Sequence, residues 1–386
     1  MKGKSTTMTI RPEDSSLFTP WRCPASGIES LILTERPAPV QKTFYFTNRS
    51  FTEDGKYLWV MCLYPPEGGR YATPVLGVVD FTRDQMRVDH RMQCKSGTFA
   101  EAGSTPMVHL TTGDAYWFNE LDLWKRGPLA EDRFVRLNSL PKELARGRRP
   151  ERIVSHLTLS ADGGTVNIDA RFDGQTYVGD LPLDGSPFRL WQTLDGFYDH
   201  SQFSPIDPDV QMLAHEYWKD HKDFDGQRPY HRLWLIRRGQ QAQPILKEPV
   251  SHSGHEWWDP DGRHIWYVHY GVGVKRVNLA TREEENRWPG HLSHAYSDRT
   301  GRYLVADMMS DPVVSDCHVA FRDTHTGKEV EIVNRPPLAA HLTQCAHLHP
   351  HPQFCCNDQY ICYTTTVHDR VDLALVRTAD LIERTR

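Results

Sequence analysis

The 386-residue chain has no apolar run approaching the roughly 18 residues that a membrane-spanning helix needs, so a membrane partner is not expected. Basic residues at the start, Met1 to Thr7, have no apolar stretch behind them, so no secretory leader is expected. Cationic excess is absent too. Lys plus Arg number 45 against 50 Asp plus Glu, a formal charge of −5, which argues against a nucleic-acid partner. The eight cysteines (Cys23, Cys62, Cys94, Cys317, Cys345, Cys355, Cys356 and Cys362) include no CxxC pair. A thiolate zinc site is therefore poorly supported, and the cysteines read as reduced and buried in a cytoplasmic protein. No GxSxG phrase supports a serine nucleophile. Helical periodicity is scarce, limited to short turns at 141–145 and 378–386.

Histidine and aromatic residues are plentiful instead: 20 His, 11 Trp, 15 Tyr and 15 Phe. Large planar side chains suit packed sheets better than a helical bundle. One phrase recurs: an apolar residue, a small polar one, an Asp/Gly turn, then an alternating strand. Copies start at Phe51, Leu110, Leu159, Phe203, Trp258, Tyr296 and Phe354, roughly fifty residues apart. Each is a hairpin signal. Seven such units predict an all-β, seven-bladed β-propeller with four-stranded blades. Residues 1–40, with Pro20, Pro24, Pro37 and Pro39, read as a lead-in that supplies a closing strand. Residues 41–386 read as a single propeller domain.

Aligning the copies on the turn brings histidines into register. Seven residues before Gly163, Gly262 and Gly301 stand His156, His255 and His294, and seven before Asp358 stands His351. The first copy has Asn48 there and the second Pro106. The fourth is offset, with His200 nine before Asp209. Equivalent positions of a propeller surround its axis, so five blades aim imidazoles at one funnel. His349-Pro350-His351 with His294 from the next blade is a ligand set suited to a divalent transition metal.

Three of these phrases carry a family resemblance. Gly254-His255-Glu256-Trp257-Trp258-Asp259-Pro260-Asp261-Gly262 resembles the THEFWxPDG phrase of oligogalacturonate lyases. Leu292-Ser293-His294 with Asp298 and Gly301 resembles their SHxxSNxDG segment. His349-Pro350-His351-Pro352-Gln353-Phe354 resembles their HPHPSF metal motif. The resemblance implies a cytoplasmic seven-bladed propeller that takes part in pectin degradation. It would cleave short acidic oligosaccharides by β-elimination with a divalent metal, Mn2+ first. It implies metal ligation by His294, His349 and His351, with His255 as the base. Arg232 would neutralise charge at the reaction centre, and His200 and His215 would line the pocket. His156, from its place in the ring, and Arg49, from the segment Thr43 to Arg49, are further candidates for substrate binding. The chain departs from the family where a Gln ligand stands three residues before the first His of HPHP. Here that residue is Ala346, and the neighbouring His347 is the candidate replacement.

The chemistry accounts for these residue types. Removing the C5 proton of a uronate puts charge on its carboxylate. A metal or an Arg fork relieves that charge, and a neutral His reaches the proton. Two other readings stay open: a propeller that binds sugars or proteins without catalysis, and a propeller glycoside hydrolase. The second would need paired carboxylates, for which Glu216, Glu256, Asp169, Asp199 and Asp311 are available. Strand alternation turns Glu216 and Glu256 away from the histidines they follow, favouring structural roles. Trp257 or Trp258 is available to stack on a sugar, but alternation puts one of them in the core.

Overall fold

Alternating strands that bury both faces must stack on other sheets, and these do. The computed structural model describes residues 9–64, 74–94, 105–146, 150–220, 228–308, 317–335 and 349–386. It is a seven-bladed β-propeller of antiparallel sheets. Six sheets have four strands. The seventh has five, because Phe18–Arg22 pairs with Glu29–Leu33, which pairs with Asp372–Arg377. N-terminal strands thus cover the outer edge of the last three, which would otherwise be bare.

Burial falls from the axis outwards. Second strands such as Thr165–Phe172 and Tyr360–Thr365 are buried at every residue. Outermost strands such as Arg189–Asp195 and Glu284–Pro289 are mostly exposed. The large aromatics fill the wedges between blades. Trp257 stacks on Trp266 at 5.6 Å and joins the core shared with Leu304 and Ala306 of the next blade. Trp258 points the other way, into a core with Val210 and Met212 of the preceding blade. Both are buried, 1% and 8% exposed, so neither offers a face to a sugar. Trp59 and Trp117 share a further wedge.

The hairpin turns need left-handed residues. Gly163, Gly262 and Gly301 have φ of 70°, 63° and 67°, where glycine has no Cβ penalty. The last blade uses Asn357 and Asp358 at φ 60° and 61°, which short polar side chains tolerate. Among the described residues, helix is confined to a 3-10 turn at Pro12–Asp14 and to Lys142–Ala145, Tyr217–Asp220 and Thr378–Thr385. The Tyr217–Asp220 turn lies outside the two short turns expected from the sequence. No described helix is long and apolar enough to cross a membrane. The six described cysteines whose side chains are placed are free and buried.

Candidate metal centre and active site

Each blade delivers its first strand to the axis, and backbone geometry there fixes what faces the funnel. In four blades an amide closes the first hairpin, at Ser160, Ser204, Asp259 and Asp298. His156, His200, His255 and His294 each stand four residues earlier. The offset of His200 seen in sequence is a longer turn, with Ser204 bonded to Val210, six residues on, where the others bond five on. Cys355, four after His351, pairs with Tyr360 five on in the same way, so all five histidines share one register. The pairing shifts between Asp199 and Gln202 and between Gly254 and Trp257, so His200 and His255 sit in β-bulges. Their φ values are 55° and 51°, and that of His351 is 46°. Bulges re-aim side chains, and here they turn imidazoles inwards.

At the centre stands Tyr45, which the sequence reading did not assign. It stacks on His156 at 4.3 Å, and its ring lies 4.9 Å from His351, 5.7 Å from His294, 6.1 Å from His200 and 6.5 Å from His255. Asn48, the residue in register on the first blade, donates its amide to the Leu157 carbonyl at 2.8 Å.

His294, His349 and His351 converge. One donor atom from each lies within 4.8 Å of the others. Asp307, on the second strand of the same blade as His294, fixes this group. Its carboxylate accepts from the His294 Nδ1–H at 2.9 Å, from the His294 amide at 2.7 Å and from the His351 amide at 3.3 Å. With Nδ1 protonated, Nε2 of His294 carries the lone pair, the arrangement of a carboxylate-oriented metal ligand. Three imidazoles on such a support fit a divalent transition ion. Burial lowers His294 well below the ordinary histidine value, so it is neutral. His347 and Ala346 lie outside the described residues, as does Asp311.

The His255 ring lies 3.8 Å from that of His294, tilted by 33°. Its Nδ1 lies 2.8 Å from the Ser293 carbonyl oxygen. A carbonyl can only accept, so Nδ1 carries the proton and Nε2 the lone pair. The Tyr270 hydroxyl lies 3.0 Å from Nδ1 and 3.4 Å from Nε2. Burial, then the neighbouring His294, push His255 well below its usual value. Gly254 admits Tyr270: a Cβ at that position would collide with the tyrosine hydroxyl.

A second, charged cluster adjoins the ring. His200 Nδ1 lies 2.6 Å from Glu256 Oε1. Arg232 bridges Glu256, at 3.2 Å, and Glu216, at 2.8 Å, and is only 5% exposed. Glu256 thus points at a neighbouring blade's histidine and at Arg232, where alternation alone had given it a purely structural place. Burial would raise the Glu256 carboxyl, but Arg232 and His200 outweigh it and hold it at about 2. Asp199, His200 and Glu216 also lie close enough to resemble a metal cluster. Arg152, 2.9 Å from Asp199, Lys219, 3.4 Å from it, and Arg232 already neutralise the carboxylates, so the group is an ion-pair network.

The remaining candidates lie further out. His215 stacks on Tyr198 at 4.3 Å and faces Tyr217 and Tyr230. Arg49 lines another cavity, of about 360 Å³, with Glu53, His109, Thr158 and Tyr296. None of the five ring histidines lines that cavity. Asp307, Tyr45 and Tyr270 are residues that sequence reasoning left out of the site, and Glu216 and Glu256 entered it only as carboxylates for a hydrolase. For Asp307 a signal existed: it lies thirteen residues after His294, across one hairpin, and Asp169 lies thirteen after His156 and accepts from the Ser155 hydroxyl at 2.7 Å.

No family profile matches the chain. It is 26% identical over 210 residues to the oligogalacturonate lyase of Dickeya dadantii (strain 3937), covering 47% of this chain and 50% of that protein. It is 26% identical over 208 residues to the oligogalacturonide lyase of Pectobacterium atrosepticum, with the same coverage. The chain spans about half the length of the curated relatives it matches. Two solved structures share the fold. An oligogalacturonate lyase in complex with manganese superposes with a TM-score of 0.72 at 17% identity, covering 93% of this chain and 96% of that one. An oligogalacturonate lyase from Vibrio parahaemolyticus gives 0.71 at 16%, with the same coverage. The chain is therefore similar to oligogalacturonate lyases, in sequence over about half its length and in fold over nearly all of it.

Proposed function

We propose that this protein is a metal-dependent lyase that cleaves short uronate oligosaccharides, oligogalacturonides first, by β-elimination. One observation carries the reading. Three imidazoles on a carboxylate support meet a fourth, His255, whose Nδ1–H is tied to a carbonyl so that the lone pair of Nε2 remains beside them.

A divalent ion held by His294, His349 and His351, manganese first given the similar solved complex, would supply Lewis-acid stabilisation of charge on the substrate carboxylate. His255 Nε2 takes the C5 proton, and its depressed proton affinity keeps it ready to do so at neutral pH. Arg232 is already shared by Glu216 and Glu256, so its part is to hold those carboxylates in place. Tyr45, half-buried and backed by the buried His156, forms the floor against which the sugar rests. The carboxylate pair does not favour a glycoside hydrolase. Such an enzyme needs a carboxyl that holds a proton near neutral pH, and Glu256 is held at about 2. Function in the cytoplasm, in the breakdown of pectin fragments, belongs to the same proposal.

The test is ultraviolet absorbance of the protein with trigalacturonate and manganese. An unsaturated uronate should form, and excess chelator or His255→Ala should abolish it. Bound metal without any new double bond from trigalacturonate would remove galacturonate as the substrate. No metal binding after reconstitution would remove the lyase reading itself.

A further inference from the structure

An elimination needs an acid as well as a base. When the C4–O bond breaks, the departing sugar leaves as an alkoxide unless a proton reaches its oxygen. We propose that His200 is that acid, its Nε2–H protonating the departing oxygen while His255 removes the C5 proton. The inference rests on the lyase reading above.

Position comes first. His200 occupies the same register as His255 on the adjacent blade, and a bulge turns each towards the funnel. Its ring lies 4.3 Å from His156 and 6.1 Å from Tyr45, inside the histidine ring. Its side chain is 13% exposed, against 2% for His294, so a ligand can reach it.

Hydrogen bonding comes second. Glu256 Oε1, 2.6 Å from Nδ1, can only accept, so Nδ1 carries a proton. Nε2 lies 3.8 Å from Asp199 Oδ1, beyond hydrogen-bond reach, which leaves its N–H for a ligand oxygen. Arg232 pins Glu256 from the far side.

The surrounding charges agree. Asp199 comes from His200's own strand, Glu256 from the next blade, and Glu216 from the end of the second strand. Facing them are Arg152 and His156 from the preceding blade, Lys219, Arg232 and the neutral Tyr45. Burial would lower the proton affinity of His200, but Asp199 and Glu256 outweigh it and raise it. His255 instead has its Nδ1–H tied to the Ser293 carbonyl and offers the lone pair of Nε2. One funnel thus holds a protonated and a neutral imidazole at the same pH, the pairing that divides acid from base.

The step balances. The C5–H pair becomes the C4=C5 double bond, and its proton goes to His255 Nε2. The C4–O pair leaves with oxygen, which takes the His200 Nε2 proton. Exchange with water then restores both histidines.

The experiment compares trigalacturonate with a uronate carrying fluorine at C4, with manganese present. Fluoride leaves without needing a proton. His200→Asn keeps a residue that tolerates the left-handed backbone. It should lose roughly 10²–10⁴-fold in kcat/KM on trigalacturonate and less than about tenfold on the fluoride. The wild type needs no variant: with trigalacturonate its rate should fall as pH rises through the His200 value, and with the fluoride that alkaline limb should vanish. Equal losses of His200→Asn on both substrates, or the same alkaline limb on both, would overturn the assignment. No unsaturated product from either substrate with wild-type protein would instead bring down the lyase reading, and this proposal with it.

Discussion

Asp307→Asn should weaken manganese binding through a residue that does not itself belong to the three-histidine set. The carboxylate is buried, 1% exposed, and accepts from the His294 Nδ1–H, the His294 amide and the His351 amide. Asparagine has the same shape but only one accepting oxygen. If that oxygen keeps the His294 amide, at 2.7 Å, the new NH2 faces His294 Nδ1. The imidazole must then move its proton to Nε2, the nitrogen offered to the metal, or turn away. Partners of this kind are worth about 10–100-fold in metal affinity, or roughly 1.4–2.7 kcal/mol. The buried mismatch should also lower folding stability by about 1–3 kcal/mol. Titration calorimetry with manganese chloride on wild type and variant measures the first, and thermal unfolding of both metal-free proteins the second. A folded variant that binds manganese within about twofold of wild type would refute the argument that Asp307 sets the tautomer of His294.

Further outcomes follow from the same geometry. Gly254→Ala should push the Tyr270 hydroxyl off His255 and lower kcat by about tenfold with little change in manganese affinity; an unchanged kcat would show that Tyr270 does not steady the base. Because His255 is shifted well below the ordinary histidine value, kcat/KM should stay level as pH falls through that value and drop only further down; a drop centred on an unshifted histidine would contradict the burial argument. Removing the residues up to Leu33 takes away two strands of the last sheet and bares the edge of Asp372–Arg377, so cooperative unfolding should be lost or the protein should associate; a melting curve like that of the full chain would show that ring closure does not depend on them. Trp257→Ala should cost about 3–5 kcal/mol in denaturant unfolding, since Trp257 fills a wedge between blades against Trp266.

Much of the fold was legible because it repeats. A turn such as Asp261-Gly262 followed by an alternating strand needs only local rules: a left-handed glycine, then residues that alternate between two buried faces. Seven copies of that phrase determined the blade count, and a fixed spacing to the turn determined that His156, His255, His294 and His351 share a register. Other features depended on pairs of residues that no local rule joins. Tyr45 enters the ring from the first blade's lead-in, and its neighbours come from five other blades. Arg232 meets Glu256 only because two blades pack side by side. Alternation placed Glu256 on the opposite side from His255 but could not say that His200 waits there. The protonation states were decided in the same way. All the histidines are alike as residues, and the tertiary structure gave His255 a carbonyl and another imidazole, and His200 two carboxylates. Spacing along a chain fixes which residues face an axis, whereas charge and hydrogen bonding depend on what lies across it.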